Sequence, residues 1–228
     1  MLKKLNWKYA VGEVLIVIIG LTIAFSLNRW NENRKDATLE REYLQNMLID
    51  LENEATELGE NRSQYERYTA LAQQIIQHTS AQLPRRDTVV FKVFEIAKAI
   101  DFLHQNTTYQ TLVNSGDFKL IKDFTLRRKV EEHYALYAFV DQEYSRQHKI
   151  HEKYLADFFI YKMDYAEMGK GDFNFFDDKV FSNIIRSLHG TYGIAIKATD
   201  QLMESNNELA KNWKGICEWG RAMHCVEF

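Results

Sequence analysis

The chain has few of the residues that interrupt regular structure. Proline occurs once, at Pro84, and glycine only ten times in 228 residues, which is well below ordinary usage. Strands need frequent turns built from these residues, so their scarcity argues against a sheet-rich fold and favours long helices. Twelve tyrosines and fourteen phenylalanines argue against a disordered chain. We therefore expect an all-α protein.

The sequence also lacks the common signatures of catalysis and cofactor binding. It contains no glycine-rich phosphate-binding loop, no G-x-S-x-G, no H-E-x-x-H and no C-x-x-C motif. The formal net charge is −3, with 29 basic and 32 acidic residues, and this balance disfavours a nucleic-acid partner. We predict a protein that is not an enzyme, that needs no cofactor or metal and that does not bind nucleic acid.

Cysteine is scarce, and it leaves the redox compartment open. The two cysteines, Cys217 and Cys225, lie close together near the C-terminus. They can form one disulfide in an oxidising compartment, and two free thiols are equally ordinary in a reducing one.

One long apolar run stands out against this background. Between residues 14 and 27 the only polar side chains are Thr22 and Ser26, and both can bond back to carbonyls of their own helix. With the residues in front, the run reaches about 20 residues, or about 30 Å of helix. Trp7 and Trp30 flank it, as expected where aromatic rings lie at both membrane interfaces. We predict a transmembrane helix over 9–30.

A cleaved secretory signal is the alternative reading of this run. Ala24-Phe25-Ser26 is a loose cleavage motif, but the bulk of Phe25 and Leu27 opposes it. The helical pattern also continues through Trp30 without a break. We therefore expect the helix to be retained as an anchor.

The basic residues on the two sides of the run are nearly balanced in number. Lys3, Lys4 and Lys8 precede it, and Arg29, Arg34 and Lys35 follow it. A tail over 1–8 and nearly 200 residues after the helix fit a signal anchor. This predicts a single-pass inner-membrane protein with a cytoplasmic N-terminus and a periplasmic C-terminal domain.

The predicted membrane helix carries one carboxylate. At 100° per residue, one side of the helix presents Glu13, Gly20, Ala24 and Leu27. Gly20 and Ala24 form a small-xxx-small pair, which lets two membrane helices approach closely. Glu13 either sits passively near the headgroups at the start of the helix or faces a neighbouring helix. We name these four residues as a candidate helix–helix contact.

The opening of the chain resembles a bacterial family of unknown function. Its members begin with "GE-apolar-G-apolar-W-N-E-x-R-K" and continue with "E-x-x-Y-L-x-x-L-x-x-D-L". The matching residues here are Gly12-Glu13, Gly20, Trp30 to Lys35 and Glu40 to Leu51, with a looser second patch from Thr108 to Lys122. The resemblance implies a Gram-negative inner-membrane protein with a periplasmic helical body, and it implies no activity.

After Trp30 the sequence predicts a long polar helix over 31–82. Its apolar stripe has the spacing of a coiled-coil seam and consists of Leu44, Leu48, Leu51, Ala55 and Leu58. The stripe can pair with a second copy of the chain or fold against later helices of the same chain. Both possibilities remain open from the sequence.

Residues 83–228 are predicted to form an antiparallel helical bundle with this stalk. We expect a helix from Val89 to about Leu103, a short helix stopped by Gly116, and a long helix capped by Asp123 and running to about Met163. A last helix, or a pair broken near Gly190, occupies 178–219.

One face of the helix after Asp123 is rich in polar side chains. Residues recurring at intervals of three and four include Asp141, Tyr144, His148 and His151. They predict either a ligand or pH-sensing pocket, or polar groups that satisfy one another and fix the register of the bundle.

These features favour a membrane-anchored interaction or scaffold protein. Its expected partners are the lipid bilayer and either a second copy of the chain or another envelope membrane protein. The alternative is a periplasmic sensor whose bundle binds a small molecule or a proton and signals sideways to a membrane partner.

Overall fold

The structure is a computed structural model, and it describes residues 7–81 and 86–224, with side chains except at 8–10 and 214–224. Over these residues the secondary structure is helical, with no strand, which confirms the all-α prediction. Most of the predicted tail 1–8, together with Pro84 and the proposed Cys217–Cys225 disulfide, falls on residues outside this description.

Seven α-helices, two 3₁₀ turns and one π-helical turn make up the described chain. In order they are α1 (Trp7–Ser80), α2 (Asp87–Ile96), α3 (Thr107–Ser115), a 3₁₀ turn (Asp117–Leu120), α4 (Phe124–Ile150), a π turn (His151–Leu155), α5 (Ala156–Tyr161), α6 (Tyr165–Gly169), a second 3₁₀ turn (Asn174–Asp177) and α7 (Lys179–His224).

Helix α1 runs for 74 residues without a break. Its first part, through residue 38, carries exposed side chains apart from half-buried Gly12 and the undescribed 8–10, and the apolar run is not covered by the rest of the chain. From Leu44 onward one side of α1 becomes buried. The predicted stalk is therefore the central helix of the bundle from that point.

The buried seam of α1 differs in part from the predicted stripe. Its buried positions follow intervals of three and four, with one interval of seven after Leu58, and are Leu44, Met47, Leu51, Glu54, Leu58, Tyr65, Tyr68, Ala72 and Ile75. Leu48 and Ala55, which the prediction placed on the seam, are half-buried beside it. The seam contacts α2, α3 and α7 of the same chain, so it is occupied intramolecularly.

The contacts of α1 define an up-down-up-down bundle. Residues 40, 54 and 65, in order along α1, contact Lys122, His133 and Gln147, which follow the same order in and just before α4. Helix α4 therefore runs parallel to α1. Residues 44 and 80 meet Trp213 and Arg186, so α7 runs antiparallel. The segment from α2 to α3 descends and fills the fourth position.

The predicted helix from Val89 to Leu103 ends at Ile96 in the structure. The connecting segment 97–106 is not helical. The physical reason is that its backbone groups bond to other helices: Asn61 donates to the Asp101 carbonyl at 3.0 Å, and the Leu103 N–H donates to Glu57 at 2.6 Å. Bonds of this kind compete with the helix's own ladder.

Two predicted helix ends are confirmed. Gly116 follows α3 in the left-handed conformation with φ of 75°, which glycine adopts without steric cost. Asp123 caps α4, and its carboxylate accepts the Thr125 and Leu126 N–H groups at 2.8 and 3.0 Å. The π turn then carries the α4 direction into α5, which ends at Tyr161, close to the predicted end.

The last helix is continuous through Gly190, so the chain ends in one helix and not in a pair. At the end of the bundle far from the apolar run, the phenylalanines near α5 and the second 3₁₀ turn pack on α7. Phe158 and Phe176 are buried, and their ring centroids lie 5.4 and 5.5 Å from that of Phe181. These rings close the distal end of the core.

Candidate functional site

The first candidate site is the side of α1 that presents Glu13, Gly20, Ala24 and Leu27. Because α1 is an unbroken helix here, the four residues do share one side. All four are exposed, and a Cβ atom added at Gly20 would meet no other atom within 4 Å. Thr22 donates to the Ile18 carbonyl at 2.8 Å, as the sequence predicted. This side of the helix is open to close approach by a second helix.

The second candidate site is the polar face of α4. The predicted spacing holds, but the four residues bind separate partners along the helix. Asp141 lies 3.0 Å from His104 Nε2, and the Tyr144 hydroxyl lies 2.7 Å from the Thr199 hydroxyl. Burial raises the pKa of Tyr144 to about 12, so its hydroxyl stays protonated.

The two histidines of this face hold the last residue of α2 and the connecting segment 97–106. His148 Nε2 lies 3.2 Å from the Ile100 carbonyl and 3.2 Å from the Asp101 carboxylate. His151 Nε2 lies 2.9 Å from the Ile96 carbonyl. Carbonyl oxygens only accept, so these ring nitrogens donate. The face therefore supplies hydrogen bonds to two carbonyls at and beyond the end of α2.

His151 is the most unusual group on this face. It is buried, and burial lowers the pKa of its imidazole, opposed in part by the hydrogen bond to Ile96. Its second nitrogen, Nδ1, has no hydrogen-bond partner among the described residues. A proton added there would be buried without an acceptor, so the neutral imidazole is the form that fits.

Other buried polar side chains reinforce the same connection. Gln147 donates to the Tyr65 hydroxyl and, at 2.6 Å, to the Ile100 carbonyl. Tyr192 of α7 donates to the Ile96 carbonyl at 3.0 Å. Three elements, α1, α4 and α7, are thereby tied to the end of α2 and to the non-helical segment that follows it. We interpret the polar face as the structural support of that segment.

A third cluster, not predicted from the sequence, lies in the core between the three long helices. Glu54 of α1, His133 of α4 and Asn206 of α7 are buried. His133 Nε2 lies 2.9 Å from a Glu54 oxygen, and Asn206 donates to that oxygen at 2.5 Å and to the Leu51 carbonyl at 2.9 Å. His133 Nδ1 lies 3.0 Å from the Ser205 hydroxyl.

Two tyrosines enclose this cluster. Burial, and after it the Glu54 carboxylate, raise the pKa of Tyr134 and of Tyr137. Neither hydroxyl has a partner at hydrogen-bond geometry among the described residues, and neither does the second oxygen of Glu54. Such a cluster specifies how three helices align, because a shift of any one would separate a buried carboxylate from its partners.

One signal in the sequence could have located this cluster. Glu54 follows Leu51 by three residues and precedes Leu58 by four, so it occupies a seam position where an apolar residue is expected. His133 and Asn206 carry no comparable signal, because the sequence does not reveal which faces of their helices pack against α1. No set of three or more metal-ligating side chains is grouped within the part of the chain that the structure describes.

Fold and sites together define a class of protein: an all-α bundle whose central helix projects beyond the core as an exposed apolar segment, long and apolar enough to cross a membrane. The chain belongs to the family of unknown function DUF6090, whose model matches residues 13–160, well over half of the chain. The match confirms the resemblance to a family of unknown function. No curated protein and no solved structure matches the chain.

Proposed function

We propose that this protein is a non-enzymatic interaction or scaffold protein of the bacterial inner membrane. It is anchored by the helix over 9–30, its bundle lies in the periplasm, and it associates with a second copy or with another envelope membrane protein. The observation that carries the proposal is the change in burial along the single helix α1: exposed and apolar up to Leu27, and buried in the core from Leu44.

The intramolecular use of the α1 seam supports association at the membrane helix. Leu44, Leu51 and Leu58 are covered by helices of the same chain, so they are not available to a second copy. Association then falls on the membrane helix, where Gly20 and Ala24 leave room for a neighbour.

Crosslinking in membranes tests this association. In a chain with Cys217 and Cys225 replaced by Ser, single cysteines at positions 20 and 24 should crosslink to a partner helix. Ser26→Cys is the matched control, because position 26 lies at a similar depth on the opposite side of the helix. Gly20→Ile should abolish crosslinking through position 24 by blocking close approach.

Glu13 allows a second reading of the same experiment. Glu13→Gln keeps the shape of the side chain and removes the charge, so it should leave crosslinking unchanged or increase it by removing repulsion between neighbouring carboxylates. If positions 20 and 24 crosslink no more than position 26, the helix is a solitary anchor and the association proposal fails.

The orientation is tested by a fusion after Phe228. A reporter that folds only outside the cytoplasm should be active there. Activity of a cytoplasm-only reporter at the same position would reverse the orientation and would remove the case for a Cys217–Cys225 disulfide.

Sensing by the bundle is a second candidate function, and one observation favours the sensing of pH over the sensing of a small molecule. His151 is buried, and one of its ring nitrogens has no partner among the described residues. Protonation of the ring would therefore disturb its contact with the Ile96 carbonyl at the end of α2. The other three residues of the α4 face are engaged with protein groups, which favours the scaffold over a ligand pocket.

A further inference from the structure

A corner formed by residues 117–129 lies at the end of the bundle that faces the apolar run. It includes the first 3₁₀ turn and the first turns of α4. The Tyr43 hydroxyl donates to Asp117 at 2.9 Å, and the Lys122 N–H donates to Glu40 at 3.3 Å. These contacts fix the corner beside residues 40–43 of α1.

The corner lies close to the plane in which Trp30 marks the membrane interface. Ten residues of helix separate Trp30 from Glu40, a rise of about 15 Å. The headgroup layer extends beyond the hydrocarbon by roughly 5–8 Å, and a membrane helix tilts by about 20° on average. Long basic side chains at the corner can therefore reach the headgroups.

The charge of the corner is opposite to that of the far end of the bundle. Residues 117–129 contain five basic and two acidic residues, a net charge of +3. Residues 157–178, at the distal end, contain two basic and six acidic residues, a net charge of −4. Segment 117–129 is thus basic and segment 157–178 acidic, and the basic segment is the one that lies toward the apolar run.

The two acidic residues of the corner are engaged within the protein, and its cations are accessible. Asp117 accepts from Tyr43, and Asp123 caps α4. Lys119, Lys122 and Arg128 are exposed, and Arg128 also lies 3.5 Å from Glu132 in a solvent-exposed ion pair. Between these basic residues Phe124 is 70% exposed, with the Arg127 guanidinium 5.6 Å from its ring centre. An exposed aromatic ring among basic side chains suits a membrane interface.

We propose that this corner docks on the anionic phospholipid headgroups of the bilayer that holds α1. Lys119, Lys122 and Arg128 contact the headgroups, and Phe124 rests at the interface. The docking gives the bundle a second point of attachment and so fixes its tilt relative to the membrane. The inference rests on the proposed anchor.

The test uses the full chain, with both native cysteines replaced by Ser, in lipid nanodiscs. An environment-sensitive fluorophore is attached to Phe124→Cys, and in parallel to Thr125→Cys on the same exposed turn. Phe91→Cys is the matched control, since Phe91 is 77% exposed and lies on α2 toward the other end. The discs contain either phosphatidylcholine alone or a mixture rich in phosphatidylglycerol.

Docking predicts a blue shift, and quenching by lipid-borne quenchers, at positions 124 and 125 in the anionic discs only. High salt should reverse the shift, because about 1 M salt shortens the Debye length to about 3 Å. Replacing Lys119, Lys122 and Arg128 together by Gln should reduce the shift at least by half, whereas Lys162→Gln with Lys170→Gln should leave it unchanged.

The outcomes separate the docking from the anchor. A chain that stays in the discs but shows the same emission at position 124 in both lipids, or a shift at position 91 as large as at 124, overturns the docking alone. A chain that does not stay in the discs overturns the anchor and the docking together.

Discussion

At the scale of single residues, buried polar groups decide how the helices align. The buried carboxyl group of Glu54 contacts His133 and Asn206, each from a different helix. Removing a partner of a buried carboxylate costs more than an average surface bond, because the carboxylate cannot regain water.

We therefore expect Asn206→Ala to lower the free energy of unfolding by about 2–4 kcal/mol, since two hydrogen bonds are lost and one of them is to a charged group. Asn207→Ala is the matched control at the next, exposed position, and should change it by no more than about 0.5 kcal/mol. Chemical denaturation followed by circular dichroism measures both. Equal effects at 206 and 207 would contradict the role of the cluster.

The lowered pKa of His151 predicts that the stability of the protein depends on pH. Its native pKa is lowered by burial, so between that pKa and the unfolded value of about 6.5 the unfolded chain binds the extra proton. The stabilisation is complete above about pH 6.5 and is lost as the pH falls below it. Denaturation midpoints across this range should fall less steeply for His151→Gln than for the natural chain. Identical slopes would show that His151 does not titrate differently in the two states.

The α4 face shows what spacing reveals at this scale. Intervals of three and four predict that Asp141, Tyr144, His148 and His151 share one side of a helix; the first three lie on α4, and His151 begins the π turn that continues it. The partners were not predictable, because the carbonyls that the histidines bind belong to a segment about 50 residues away that reads as helix by its own sequence.

At the scale of elements, the heptad spacing of α1 is the strongest sequence signal for a buried helix face. Which residues of that face are buried depends on how the other helices pack against it. Leu44, Leu51 and Leu58 were predicted and are buried. Met47 and Glu54 are buried in place of the predicted Leu48 and Ala55. The reason is that three helices surround α1, and their arrangement determines which side of α1 faces the core. The end of α2 could not be predicted, since tertiary bonds override local helix preference there.

A buried and an exposed position two residues apart on α1 provide a test of this seam. Leu51 is 1% exposed and Ile49 is 55% exposed. Leu51→Ala should lower the free energy of unfolding by about 2–5 kcal/mol, because it leaves a cavity among three helices. Ile49→Ala should change it by about 0.5 kcal/mol or less. Melting of purified protein in mild detergent compares them, and the seam assignment is wrong if Ile49→Ala proves the more damaging change.

At the scale of the whole molecule, α1 joins two environments. One end is apolar and exposed, and the other is the centre of a bundle closed by α4 and α7. A rigid connection of this kind transmits any tilt or rotation of the apolar segment to the bundle. The proposed scaffold role depends on that connection, and it depends on the apolar segment being retained.

The retention of this segment is tested most directly by the intact mass of the protein in alkali-washed membranes. The chain should stay in the washed membrane fraction with the mass of the uncut sequence from its N-terminus. A mature chain beginning near Leu27, or a full-length chain released into the alkaline supernatant, would contradict it.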